Sequence, residues 1–128
     1  MRQTKIVDRI CPPKGPYSHA VVCRTLGSLI FVSGLGPFDE LGSLVSDSIR
    51  GQVHAIFDNL EMIALECGSS LDNLVKTTVY LTNITEASEV NAVYIERLAS
   101  PYPARTTIGC TLPGIRVEID AILEPDVA

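Results

Sequence analysis

Residues 101–123 read PYPARTTIGCTLPGIRVEIDAIL. Two runs with strand-like character, Ala104–Cys110 and Ile115–Leu123, flank a Leu112-Pro113-Gly114 turn. Side chains alternate faces along a strand, so Arg105, Thr107 and Gly109 share one face of the first run. On the second run Glu118 and Asp120 share a face, with Val117, Ile119, Ala121 and Leu123 opposite. Pairing as a hairpin about this turn, in a register open by a residue, brings Arg105 and Thr107 beside Asp120 and Glu118 on one wall. A fixed cation next to a carboxylate can hold an anionic substrate and steer a water beside it. The same pattern fits a solvated cross-strand ion pair, stabilising by roughly 0.2–1 kcal/mol. The residues of this stretch leave both readings open.

Working back from that stretch, Asn83-Ile84-Thr85-Glu86 has capping-box spacing and opens a helix to about Leu98, with Ala87, Val90, Val93, Tyr94 and Leu98 as its apolar positions. Tyr94 reads as packing. Leu74–Leu81 alternates as a strand. Ser46–Cys67 is the clearest helix: Ile49, Val53, Ile56, Phe57, Leu60, Ile63, Ala64 and Cys67 form one stripe. Ser46 is its expected N-cap and Gly68 its C′ residue. His54 lies off the stripe as a solvated histidine. His19–Arg24 and Ser28–Leu35 read as two strands joined by a hairpin turn at Leu26-Gly27, and Thr4–Ile10 as a first strand ended by the prolines that follow it. The glycines of Ser33-Gly34-Leu35-Gly36-Pro37 suit either an ordinary loop or a backbone that approaches a ligand.

The element order is therefore β-β-β-α-β-α-β-β, in one domain spanning 1–128. The strand–helix–strand middle favours parallel pairing and the hairpins antiparallel pairing, giving an α+β fold with a mixed sheet and both helices on one face. The other sheet face carries many apolar or small side chains. No third helix is available to cover it, so a second subunit is the natural cover.

A chain of 128 residues buries roughly two-thirds of its unfolded surface, and 46% apolar residues supply the core. A net charge of −5, with no basic stripe, argues against binding to nucleic acid. No apolar run reaches the roughly 20 residues of a membrane span, and the N-terminal residues lack a signal-peptide core; the reading is a cytoplasmic protein. Cys11, Cys23, Cys67 and Cys110 have no C-x-x-C spacing and no adjacent His, which points to free thiols and to no metal site.

Several stretches together resemble the reactive-intermediate deaminase family (RidA/YjgF). Gly15-Pro16-Tyr17-Ser18-His19-Ala20 and Phe31-Val32-Ser33-Gly34 match its first half. The run from Leu71 to Thr82 looks like its central strand, and Val90-Asn91-Ala92-Val93-Tyr94 like its second helix. Pro103-Ala104-Arg105-Thr106-Thr107 and Val117-Glu118-Ile119-Asp120-Ala121 complete the match, in order along nearly the whole chain. The resemblance implies a chorismate-mutase-like (bacillary type) fold and a homotrimer with ligand clefts between subunits. It also implies cofactor-free hydrolysis of enamines and imines, such as 2-aminoacrylate and 2-iminopropionate, to 2-keto acids and ammonia.

Carried over by that resemblance, Arg105 anchors the substrate carboxylate, Thr107 adds a backbone hydrogen bond, and Glu118 orients the attacking water. Tyr17, Ser33, Gly34 and Asn91 line the cleft. A guanidinium suits the anchor role, because it presents two parallel donors and stays charged. The chain departs from the family pattern at Thr107, Leu35 and His19; the last two are expected to reshape the cleft wall. The turn before the closing strand is about one residue shorter than usual, which keeps Asp120 as the alternative holder of the water. Ser-Gly-Leu-Gly-Pro and Arg-Thr-Thr are also similar to the 2-aminomuconate deaminase branch. Two further readings stand beside deamination: an endoribonuclease that inhibits translation, and a non-catalytic trimer that binds small carboxylates.

Overall fold

The computed structural model describes residues 2–24 and 27–126. Six strands and two long helices follow one another as β1 (Arg2–Lys5), β2 (Ala20–Cys23), β3 (Ile30–Leu35), α1 (Ile49–Glu66), β4 (Leu74–Leu81), α2 (Ala87–Arg97), β5 (Ala104–Gly109) and β6 (Val117–Leu123). The main sheet has the order β3-β6-β4-β5, with β4 and β5 parallel and the other pairs antiparallel. A separate two-stranded sheet pairs β1 with β2.

The helices form where the apolar spacing demands. Ile49, Val53, Ile56, Phe57, Leu60 and Ala64 of α1 are buried, as are Val90, Val93 and Tyr94 of α2. They pack with Val79, Val117, Ile119 and Ala121 of the sheet in one core. Phe57 and Tyr94 join the two helices edge to face, their ring centres 5.2 Å apart. The N-cap of α1 is Ser48, whose hydroxyl accepts from the Gly51 N–H at 3.0 Å; Ser46 instead caps the Ser48 N–H. Gly68 takes the left-handed backbone at φ +72° that ends the helix. Asn83 caps a short 3-10 turn that leads into α2, while the Glu86 carboxylate turns to Arg116 rather than closing a capping box.

Three strand expectations are corrected. β1 stops at Lys5 instead of running to Ile10, and residues 8–9 form a turn. β2 pairs with β1, not with β3, while β3 lies against β6. Leu26 of the expected β2–β3 turn lies outside the described residues. Most consequentially, β5 and β6 form no hairpin, because β4 stands between them. Leu74, Thr77, Val79 and Leu81 are buried, and their side chains make β4 the centre of the sheet under the helices. Both its edges carry backbone N–H and C=O groups that need partners, and a β5–β6 hairpin would leave one edge bare. Residues 110–116 arch over the end of β4 instead. Cys110 N–H donates to the Leu81 carbonyl at 2.8 Å and Thr82 N–H to the Arg116 carbonyl at 3.0 Å.

The register sets the faces. Arg105 and Ala121 flank Thr77, and Thr107 and Ile119 flank Val79, all on the side that the helices cover. Asp120 lies opposite Thr78 and Glu118 opposite Tyr80, on the other side. The expected single wall carrying Arg105, Thr107, Glu118 and Asp120 therefore does not exist within one chain.

Candidate functional site

Arg105 sits where β5 meets α2. Its Nη1 donates to Asn91 Oδ1 at 2.8 Å. Its guanidinium carbon lies 4.9 Å from the Tyr94 ring centre and 5.3 Å from that of Tyr17. The group is thus fixed by one charged hydrogen bond and two aromatic rings. Burial lowers the guanidinium from its ordinary value, with the neighbouring Tyr94 and Tyr17 acting the other way; an arginine starts so high that it stays charged. Tyr94 is fully buried, and its hydroxyl meets Thr77 Oγ1 at 2.7 Å.

Tyr17 arrives from a loop that docks along the outer edge of β5. Ser18 N–H donates to the Pro103 carbonyl at 3.0 Å, Ser18 pairs with Ala104 as a parallel bridge, and its hydroxyl donates to the Tyr102 carbonyl. The approach is tight upstream: a Cβ on Gly15 would come within 3.1 Å of Arg105 Nη2 and 3.3 Å of Asn91 Nδ2, so both side-chain ends would have to give slightly. Thr107 follows Arg105 on the same face. Its hydroxyl is buried without a hydrogen-bond partner among the described residues, so it turns inward and only its backbone is left to serve the edge of β5.

A second group forms on the opposite face. Gln52 of α1 is buried, bonded through Nε2 to the Ser46 carbonyl at 3.0 Å and accepting the Arg116 N–H at 2.8 Å. It pins the start of β6, two residues before Glu118. The irregular pairing of β3 with β6 between Val32 and Leu35 puts Gly34 directly beneath the Glu118 carboxylate, so that a Cβ there would collide with it. Ser33 is exposed on the same stretch. Among the described residues the Glu118 carboxylate makes no hydrogen bond or ion pair. Asp120 differs: Tyr80 Oη donates to its Oδ2 at 2.8 Å. That bond is the largest cause of the raised Tyr80 pKa, followed by burial and the charges of Asp120 and Glu118.

The fold therefore gathers Tyr17, Asn91 and Arg105, with Thr107 alongside, and separately gathers Ser33, Gly34 and Glu118. It does not bring the two groups together within one chain. The His19 ring accepts the Val7 N–H at Nδ1, 2.8 Å away, and meets the Cys11 carbonyl at Nε2, 2.9 Å away, which staples the loop after β1. Leu35 pairs with Ile119 and packs against the core. Gly15, Tyr94 and Tyr80 were missed as supports. Tyr94 was findable, because it follows Asn91 by three residues and so shares its helix face; the reach of Tyr80 to Asp120 needed the sheet order. Two open cavities, about 630 Å³ beside Leu35, Phe38, Asn59 and Met62 and about 460 Å³ beside Gln52, Leu112 and Arg116, are lined by none of Tyr17, Asn91, Arg105, Ser33, Gly34 and Glu118. Among the described residues, His, Cys, Asp and Glu side chains nowhere gather in threes in a way that would hold a metal ion, and no helix is long and apolar enough to cross a membrane.

A family model described as Endoribonuclease L-PSP matches residues 8–124. The chain belongs to this family, the RidA/YjgF group. It is similar to a RutC family protein of Pyrococcus abyssi, with 37% identity over 124 residues that cover 94% of this chain and 95% of that protein. It is also similar to a protein of Dermatophagoides farinae named 2-iminobutanoate/2-iminopropanoate deaminase, with 32% identity over 114 residues and 87% of each chain covered. The crystal structure of RidA from an Antarctic Psychrobacter superposes with a TM-score of 0.72 at 34% identity, covering 94% of this chain and 98% of that one. In this RidA/YjgF chain, five of the six stretches that carried the resemblance supply the side chains of the two groups.

Proposed function

We propose that the protein hydrolyses small reactive imines and enamines that carry a carboxylate, of the 2-iminopropionate/2-aminoacrylate type, to the 2-keto acid and ammonia, without a cofactor. The observation that carries this reading is the Arg105 guanidinium, braced between Tyr17 and Tyr94 and bonded to Asn91 through one nitrogen only. Its remaining N–H groups suit a small carboxylate. The relative named for 2-imino acid deamination supports the same class of substrate.

The chemistry needs two groups, and they lie on opposite faces of one sheet. Two chains can bring the Arg105 group of one to the Glu118 group of the next, so the proposal includes a homotrimer with three inter-subunit clefts. Phe31 and Ile108 support it: they are 73% and 48% exposed, on the face that no helix covers. In the cleft Arg105 and the Thr107 backbone hold the carboxylate, and Glu118 accepts a hydrogen bond from water aimed at the imine carbon. The water oxygen bonds to that carbon and one proton passes to nitrogen; collapse of the carbinolamine expels ammonia and leaves the keto acid. An enamine first takes a proton at its terminal carbon and becomes the protonated imine. Positioning supplies most of the rate, because a protonated imine is already a strong electrophile. Four cysteines outside any disulfide fit a reducing compartment such as the cytoplasm.

Ammonia release from freshly generated 2-aminoacrylate tests the reading. Wild type is expected to accelerate it, Arg105→Ala and Glu118→Gln to lose most of the acceleration, and Asp120→Asn to retain more turnover than Glu118→Gln. Full activity in both Arg105→Ala and Glu118→Gln would remove this site and the deaminase reading together. RNA cleavage is measured in parallel, since the family description carries that activity; the net charge of −5 speaks against it.

A further inference from the structure

On the sheet face turned away from the helices, β6 presents two carboxylates, Glu118 and Asp120, two residues apart and therefore roughly 7 Å apart along the strand. Either has the chemistry to hold a water. Their surroundings differ in one respect: Tyr80, directly across from Glu118 on β4, leans diagonally and donates its hydroxyl to Asp120 Oδ2 at 2.8 Å. We propose that Tyr80 is the positioning residue of the water step: it ties Asp120 down and leaves Glu118 as the single carboxylate free to hold water. This rests on the function proposed above and explains how two neighbouring acids are given separate tasks.

The argument follows from what a water-orienting carboxylate needs. It must be ionised at working pH and must keep a lone pair for the water. A second carboxylate on the same face works against the latter, because it competes for the water. A phenol proton directed at Asp120 occupies one of its oxygens and holds that carboxylate toward β4. The raised proton affinity of Tyr80, caused first by Asp120, is the other side of the same bond. No other titratable group of the main sheet supplies this restraint. On β4 Lys76 shares the face, but its Nζ donates to Thr106 Oγ1 of β5 at 2.7 Å. On β3 the neighbours are Phe31, Ser33 and Gly34, and on β5 Thr106 and Ile108, none of them titratable. Arg116, at the entry to β6, is turned to Glu86 and the Asp47 carbonyl.

Tyr80→Phe keeps the ring and deletes the hydroxyl. Freed, Asp120 competes with Glu118 for the water, so kcat for 2-aminoacrylate hydrolysis is expected to fall about threefold with KM unchanged. The double variant Tyr80→Phe/Asp120→Asn removes the competing carboxylate and is expected to bring kcat back to that of Asp120→Asn alone. Calorimetric titration of Tyr80→Phe with 2-ketobutyrate is expected to give the wild-type Kd. Unchanged kcat in Tyr80→Phe would overturn the proposal. So would a loss that persists in the double variant, because the effect would then come from ring packing. Loss of activity in Glu118→Gln beside an unchanged Tyr80→Phe kcat rejects this inference alone; full activity in Glu118→Gln rejects the deaminase site and the inference with it.

Discussion

Replacing Arg105 with alanine separates the two tasks this residue is given, holding the local structure and holding the substrate. Structurally, the change deletes a charged hydrogen bond to Asn91 and contacts with two rings at 4.9 and 5.3 Å. Gross losses are about 1.5–3 kcal/mol for the hydrogen bond and about 0.5–2 kcal/mol for each ring contact. Against them stands relief from burying a guanidinium, whose cost appears as its lowered pKa. These terms largely cancel at a partly buried position, so the fold is expected to lose no more than about 2 kcal/mol. Binding has no such compensation. An anionic ligand that loses its charged fork in a desolvated cleft loses about 2–5 kcal/mol, or about 30-fold to a few thousandfold in Kd. Arg105→Lys keeps the charge but neither the fork nor the flat surface for Tyr17 and Tyr94, and is expected to fall between wild type and alanine. Calorimetric titration with 2-ketobutyrate, a stable product-like acid, reads Kd without turnover, and thermal melts read the fold. A folded Arg105→Ala protein that binds within threefold of wild type would refute the anchor role.

Three further outcomes follow from particular contacts. Gly34→Ala places a methyl against the Glu118 carboxylate, which must swing aside; a displacement near 1 Å costs about a hundredfold in rate, so melts near wild type with turnover strongly reduced are expected, and normal turnover would remove Glu118 from the water step. Tyr94 is pushed up to about 12, chiefly by burial, from an ordinary value near 10. Its folded-state pKa lies above its unfolded one, so its contribution is complete below pH 10 and is lost as pH rises toward 12, by about 2–3 kcal/mol; Tyr94→Phe should flatten that part of the stability curve, and an unchanged slope would count against the assignment. Phe31→Asp puts a charge on the uncovered sheet face; light scattering should show a mass near three chains for wild type and a smaller assembly for the variant, with deamination lost in step, whereas a monomeric wild type would end the inter-subunit cleft.

Local pattern determined much of this protein. The apolar stripe of Ile49 to Ala64 specified α1, and strict alternation through 117–123 specified that Glu118 and Asp120 face away from Val117, Ile119 and Ala121. These are properties of neighbouring residues with periods of 3.6 and 2, so they can be read without the fold. Arg105, Glu118 and Asp120 were legible as candidates for a similar reason, since a guanidinium and a carboxylate carry their chemistry in their own atoms; the choice of Glu118 over Asp120 came from the family resemblance. Which strand lies beside which was not legible. The Leu112-Pro113-Gly114 turn is compatible with a hairpin, and nothing within residues 101–123 signals that β4, some twenty residues upstream, slots between the two runs. That insertion comes from the unpaired edges of a buried central strand, a demand made by the whole sheet. It set the register that turns Arg105 toward α2 and Glu118 away from it, and it brought Tyr80 to Asp120. The residues of the site are sequence properties, while their division between two faces is a tertiary one, because a side chain's face follows from its own strand but its neighbours follow from the pairing of all of them.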